Sequence, residues 1–377
     1  MGNPGIYIHI PFCLKKCPYC DFFSQVAQDD EISLFLHQLQ QEITNKAPFY
    51  TPYTFETVYI GGGTPNRLNS SALLECLAVL KQSFHITSDA EITLELNPEF
   101  IHLEDLKVYE QSGINRLSLG TQSFRDEELR FLGRIHNVQK NLDALQLIRT
   151  FNSFSLACDV ITGLPAQSVN DLQESLDFLQ KFSPEHLSVY TLTVEKGTPL
   201  YQWVQKGSVN PLDEEQVNKL WKFAHHYLKE KGYSHYEVSN YAKPGYQSRH
   251  NSKYWDDSNY LGFGPSAHSR WNRIRFWNPP DLKSYLKGTY YPEHETINDE
   301  QWLTEQLMLG LRTEKGFDLN SLSILKKSQP FLDTISRLNS ELKTTLLEID
   351  DNFLKATPEG WILLDSIIEE LTEKIDC

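Results

Sequence analysis

Near its N-terminus the chain reads Gly5-Ile-Tyr7-Ile-His9-Ile-Pro11-Phe-Cys13-Leu-Lys-Lys-Cys17-Pro-Tyr19-Cys20. A short apolar run, Ile6–Ile10, predicts a β-strand. Pro11 ends it, and three cysteines follow within eight residues. The C-x3-C-x2-C spacing lets one loop wrap three thiolates around one centre. Structural zinc normally takes four protein ligands with paired spacing, and no nearby Cys or His completes such a set. His9 lies along the strand, two residues before the bend. A [4Fe–4S] cluster usually takes four cysteines. Three leave one iron open to a small molecule, and an open metal position marks catalytic rather than closed structural sites. The cluster is therefore preferred to zinc.

The wider composition fits this reading. The chain has 377 residues, 50 acids against 35 Lys and Arg, a formal net charge of −15 and six cysteines. A length of about 150 residues per domain predicts two to three domains, with no need for disulfide staples. The 40% hydrophobic and 12% aromatic content argues against disorder. The acidic balance argues against a nucleic-acid partner, which requires a basic footprint. No apolar run reaches the ~18 residues of a membrane span, and the N-terminus does not read as a signal peptide. A cytoplasmic location is expected, where clustered cysteines point to metal or redox chemistry. Cys76, on an expected helix, and Cys158, in an expected strand, read as packed thiols, and Cys377 is terminal.

Outward from the cysteine loop, strands are expected at Ile6–Ile10, Thr57–Ile60, Glu91–Leu96, Arg116–Leu119, Ser155–Ile161 and His186–Leu192, with helical periodicity between them. This βα alternation implies parallel strands joined by helical crossovers. A doubly wound open sheet is one solution and a partial (βα)6 barrel another. The polar residues favour the barrel. Gly61-Gly62-Gly63-Thr64-Pro65, Glu95, Gln122, Arg134, Asp159 and Thr191 all fall at or beyond strand ends, and one barrel face would gather them. The expected organisation is a core over residues 1–290 and a small, mainly helical, winged-helix-like domain over 291–377. In that domain a hairpin is expected from Phe353–Ala356 to Trp361–Leu364, with a final helix ending at Cys377. Residues 341–377 hold ten acids and three lysines, which reads either as a docking surface or as a solvated one.

The cysteine loop, with Tyr19 before its last Cys, resembles the radical S-adenosylmethionine (SAM) superfamily. The stretches Tyr7–Cys13, 61–65, Leu94–Pro98, Gly120–Phe124, Gly133–His136 and Asp159–Pro165 resemble its HemN/HemW group across nearly the whole chain. The resemblance implies that Cys13, Cys17 and Cys20 hold a [4Fe–4S] cluster whose open iron takes the amino and carboxylate groups of SAM. It implies a backbone contact to SAM at Tyr7 and a methionine-binding loop at Gly62, Gly63 and Thr64. Tyr19 takes the aromatic place of the motif, and Glu95, Gln122, Arg134 and Asp159 are implied to surround SAM.

Two features separate the branches of the group. The porphyrinogen oxidases carry a further Cys two places after the third; here that place is Phe22. The run His250-Asn-Ser-Lys-Tyr254-Trp255 resembles the H-N-x-x-Y-W motif of the haem-chaperone branch, which makes His250 the favoured axial ligand for haem, ahead of His268. The implied function is delivery of haem to recipients such as respiratory-chain proteins. A haem donor protein, and membrane contact through such partners, are implied as well. The alternative is SAM-dependent, oxygen-independent decarboxylation of coproporphyrinogen III.

Overall fold

The computed structural model describes residues 2–26, 28–324, 329–341, 344–373 and 375, so Cys377 and the expected helix end there lie outside the described residues. The N-terminal part alternates as read from the sequence. In chain order it runs β1 (Gly5–Ile10), α1 (Asp29–Lys46), β2 (Thr54–Gly62), α2 (Ser70–Ser83), β3 (His85–Leu96), α3 (Leu103–Gln111), β4 (Arg116–Gln122), α4 (Asp126–Phe131), α5 (Val138–Ile148), β5 (Ser155–Thr162), α6 (Val169–Gln180) and β6 (His186–Thr191). Strands β1 to β6 are parallel neighbours in sequence order. Apolar residues such as Ile6, Ile8, Ile10, Val58, Ile60, Leu94, Leu117 and Leu156 are buried in one core with the helices. The opposite strand positions, among them Tyr7, Tyr59, Glu95 and Asp159, face the lumen of a partial barrel, because side chains alternate between faces.

The sheet extends further than the six expected strands. After α7 (Pro199–Gln205) and α8 (Glu214–Glu230), β7 (Ser234–Glu237) and β8 (Asn240–Ala242) add to the β6 edge. The short helix α9 (Arg249–Trp255) comes next. Then β9 (Tyr260–Phe263) pairs parallel to β1, and β10 (His268–Trp271), β11 (Ile274–Trp277) and, past α10 (Leu282–Leu286), β12 (Glu293–Thr296) continue antiparallel. The result is a 12-stranded open sheet ending in β12 and β7. The barrel is partial, not closed.

A second core joins α11 (Asp299–Gly310), β13 (Phe317–Asp318), α12 (Gln329–Glu341), β14 (Leu347–Asp350), β15 (Phe353–Ala356), α13 (Pro358–Ile362) and α14 (Leu364–Thr372) around Leu307, Phe317, Phe331 and Leu354. The three strands form an antiparallel sheet of order β13-β15-β14. The expected hairpin is corrected here. Phe353–Ala356 pairs with Leu347–Asp350 instead, and Trp361–Leu364 spans the end of α13 and the first residue of α14. Thr357 caps the Gly360 N–H, and Pro358 takes the first helical position, where its missing N–H costs nothing. Backbone bonds Val238 N–H to Arg312 O (2.9 Å) and Glu314 N–H to Tyr236 O (3.0 Å) tie this unit to the edge of the large sheet. Among the described residues no helix is long and apolar enough to cross a membrane.

Candidate cofactor site at the barrel mouth

The strand β1 delivers Tyr7 and His9 into the lumen and then turns at Pro11 into the cysteine loop. Burial lowers the His9 pKa to about 4, so its ring is neutral. Its Nε2 donates to the Phe23 carbonyl (2.8 Å), which leaves Nδ1 to accept from the Tyr7 hydroxyl (2.9 Å). His9 thus locks the far end of the loop and is no metal ligand. Cys13, Cys17 and Cys20 are free, half-buried thiols. Cys17 and Cys13 are near enough for their charge to raise the Cys20 pKa, after burial, which is the main cause of its rise to about 11.

Among the described residues no three His, Cys, Asp or Glu side chains stand at the spacing of a single metal ion. Three thiolates on one C-x3-C-x2-C loop are soft ligands of the kind that hold a four-iron cluster, so the donor set suits it. Two donors aim at its sulfurs: the Thr64 hydroxyl reaches Cys13 Sγ (3.6 Å) and Arg134 Nη1 reaches Cys17 Sγ (3.9 Å). Phe22 is 64% exposed, with its carbonyl held by Lys16 Nζ (2.9 Å).

The glycine run at the end of β2 closes on this loop. Gly62 has φ +117, and a Cβ there would sit 2.7 Å from the His9 ring. At Gly63 a Cβ would lie 2.7 Å from the Phe12 carbonyl oxygen and 3.0 Å from Cys13 Sγ. Only glycine lets these backbones meet. Gly63 N–H donates to Ile10 O and Thr64 N–H to Phe12 O, both at 2.8 Å.

Later strands bring the remaining residues to the same rim. Glu95 accepts from the Tyr59 hydroxyl (2.7 Å) and from Gly62 N–H (3.0 Å). Burial, with the charge of Asp159, raises its pKa to about 7. Asp159 is raised to about 6, again by burial first, although the Ser188 and Ser118 hydroxyls and the Arg116 and Arg134 charges oppose the rise. Two carboxylates raised in this way are short of positive charge, and a cationic ligand in the lumen would supply it. Gln122 sits at a bulge with φ +62, a costly conformation for a non-glycine residue. A Cβ on Gly120 would meet Gln122 Nε2, Asn97 Oδ1 and Arg134 Nη2 within 3.5 Å, so these groups surround one point. Tyr19 lies beside Arg134 and packs on Leu132, Ile161 and Leu164.

Asn97 was missed from the sequence. It receives Arg134 Nη2 (2.6 Å) on Oδ1 and donates to Thr64 Oγ1 (3.0 Å). It therefore links the two side chains that touch the cysteines. Tyr59 and Tyr190 were missed as well. Tyr59 bonds Glu95, and Tyr190 is 42% exposed yet lies within reach of the Asp159 and Glu95 charges.

His250 is placed differently from expectation. It is fully buried, and both ring nitrogens are engaged, Nδ1 with Thr57 Oγ1 and Nε2 with the Tyr254 hydroxyl, each at 2.9 Å. Its ring stacks on Tyr59 at 5.2 Å. As placed it offers no nitrogen to haem iron; it fastens α9 to β2. His268, on β10, is exposed and stacks on Trp277 (5.5 Å).

Comparison with known proteins agrees with this geometry. Residues 7–179 match the Radical SAM superfamily and residues 297–363 the HemN C-terminal domain. The chain is 33% identical over 316 residues to a protein of Bacillus subtilis named heme chaperone HemW, covering 82% of this chain and 83% of that one. It is 37% identical over 273 residues to the Escherichia coli protein of the same name, covering 71% and 70%. In solved structures it superposes on coproporphyrinogen III oxidase (HemN) from Escherichia coli with a TM-score of 0.83 at 22% identity, covering 99% of this chain and 91% of that one. The chain belongs to the radical SAM superfamily, in its HemN/HemW group.

Proposed function

We propose that the chain is a haem chaperone of the HemW type, acting in the cytoplasm. Cys13, Cys17 and Cys20 would hold the [4Fe–4S] cluster. Tyr7, Tyr19, Gly62, Gly63, Thr64, Glu95, Gln122, Arg134 and Asp159 would surround SAM. When bound, the cluster supplies a one-electron reductant and an open iron for the SAM amino and carboxylate groups. The protein's own part is positioning. Thr64 and Arg134 donate to the cysteine sulfurs, and Glu95 and Asp159 offer carboxylates to a cation or to ribose hydroxyls.

The observation that carries the reading is Phe22. The group's oxidases have a cysteine there, and this chain has an exposed phenylalanine. The relatives named heme chaperone HemW support the same choice. The cargo is haem, passed from a donor to recipients of the respiratory-chain type. The test is anaerobic reconstitution followed by haem titration and by incubation with coproporphyrinogen III, SAM and a reductant. Saturable haem binding without porphyrinogen turnover is expected. Turnover without stable haem binding would replace this reading by the oxidase.

A further inference from the structure

His250 and Tyr254 stand four residues apart, so they share one face of α9, and that face is turned to the barrel. The His250 ring is fully buried and held at several points. Thr57 Oγ1 engages Nδ1, the Tyr254 hydroxyl engages Nε2, and the Tyr254 ring meets it edge-on at 5.3 Å. The helix itself is pinned as well. Glu91 accepts from the Arg249 and His250 N–H groups, and Lys253 Nζ donates to the Asn3 carbonyl (2.6 Å) and to Glu56. Room for the imidazole comes from Gly5, where a Cβ would sit 3.1 Å from Nδ1 and 2.5 Å from Thr57 Oγ1.

Two lumen tyrosines rest on this ring. Tyr59 stacks on it at 5.2 Å, and Tyr7 lies 6.5 Å away at a similar tilt. Tyr59 is also confined at Gly61, where a Cβ would lie 2.8 Å from Tyr59 Cε1. A tyrosine packed on a pinned imidazole and against bare glycine backbone has little room to turn. Its hydroxyl is thereby aimed at Glu95 Oε1 (2.7 Å).

We propose that His250 is a positioning residue of the SAM site: its ring is the floor that sets Tyr59 and, through the Tyr59 hydroxyl, readies the Glu95 carboxylate for a cationic ligand. The proposal rests on the SAM reading above. The bond that Tyr59 donates favours the ionised form of Glu95. Losing that bond, by removal of the hydroxyl or by tilting of the ring, raises the carboxyl pKa further. One hydrogen bond to a charged group is worth about a tenfold change in its ionisation constant. Starting from a pKa of about 7, such a change cuts the ionised fraction at pH 7 about fivefold and alters it less than about twofold at pH 8.5. A cation that binds the ionised form weakens in proportion. A merely structural loss would be the same at both pH values.

The experiment measures SAM affinity of the full-length, cluster-reconstituted protein by equilibrium dialysis at pH 7 and pH 8.5. The parent is compared with Tyr59→Phe, His250→Gln, His250→Phe, the double variant Tyr59→Phe/His250→Gln, and Lys253→Met. Glutamine keeps hydrogen-bonding groups for Thr57 and Tyr254 but no ring; phenylalanine keeps a ring but no such groups. Lys253→Met unfastens the same helix and leaves the ring in place. Tyr59→Phe and His250→Gln should each bind SAM about fivefold more weakly at pH 7 and within about twofold of the parent at pH 8.5. The double variant should be no weaker than either single change, because one bond can be lost only once. His250→Phe and Lys253→Met should bind within about twofold of the parent at both pH values, although both should be less stable to urea. A His250→Gln protein that binds like the parent, or loses equally at both pH values, or adds its loss to that of Tyr59→Phe, would overturn the positioning role. A parent that binds no SAM would instead overturn the SAM reading, and the positioning role with it.

Discussion

Replacement of Glu95 by glutamine separates stability from ligand binding at the barrel mouth. In the folded protein the carboxyl has its pKa raised from 4.5 to about 7, chiefly by burial. An unfolded glutamate ionises near 4.3. Between these values the unfolded state gives up its proton first, so the ligand-free fold loses stability as pH rises from about 4.5 through 7. At about 1.4 kcal/mol per unit of displacement the full loss is roughly 3–4 kcal/mol above pH 8. A glutamine side chain does not ionise. Its amide oxygen would still accept from Gly62 N–H, and the Tyr59 hydroxyl can rotate to accept from the amide nitrogen; the hydroxyl proton then loses its acceptor, a cost that is the same at every pH. Urea denaturation of the cluster-free protein should show Glu95→Gln gaining on the parent by roughly 2–3 kcal/mol between pH 5 and pH 8. Once the cluster is restored, SAM binding should be weaker in the variant, since a cationic ligand loses its carboxylate. A stability difference that does not change between pH 5 and pH 8 would refute the reasoning that Glu95 is a buried acid waiting for a cation.

Other outcomes follow from the same geometry. SAM affinity of the parent, measured by equilibrium dialysis, should rise between pH 5 and pH 8 as Asp159 (about 6) and Glu95 (about 7) ionise; the rise should shrink in Glu95→Gln. Gly63→Ala places a Cβ against the Phe12 carbonyl and Cys13 Sγ, so the visible absorbance of the reconstituted cluster should fall sharply while far-ultraviolet dichroism stays near that of the parent. Asn97→Ala removes the link between Arg134 and Thr64 and leaves Arg134 Nη2 only its long bond to Gly120 O (3.4 Å), at a cost of about 1–3 kcal/mol; chemical denaturation measures the loss, and faster cluster decay in air should accompany it. His250→Ala should destabilise the fold by about 2–4 kcal/mol through a buried cavity and two lost hydrogen bonds, as read by urea denaturation.

Five of the six inner strands were legible because they run into a closing Gly, Pro or Asn, such as Leu94-Glu-Leu-Asn97-Pro98, and all six because helical spacing separates them. The outer strands β7 to β12 were not. Each has three or four residues, several are mixed in polarity, and they take their pairing from the edges of a sheet already formed. The cysteine loop was legible since its chemistry is contiguous in sequence. Asn97 was read only as the residue that stops a strand, and its use as a bridge depends on Arg134 arriving from 37 residues later. Tyr59 resembled any core aromatic. The available signal was parity: it pairs with Tyr7 across β1 and β2, and therefore shares the lumen face with Tyr7 and His9. His250 is the opposite case. A histidine near Tyr and Trp reads as a ligand, and nothing local shows that Thr57, 193 residues earlier, takes its Nδ1.

The central claim is that the chain carries haem rather than oxidising a porphyrinogen. The direct measurement is anaerobic transfer. Haem-loaded, cluster-reconstituted protein is mixed with a haem-free respiratory-type cytochrome domain, and the recipient's absorbance is followed, with coproporphyrinogen III and SAM supplied in a parallel reaction. The account predicts that the recipient gains haem faster than from the same concentration of free haem, while coproporphyrinogen III is unchanged. Conversion of coproporphyrinogen III, with no transfer above the free-haem rate, would contradict it.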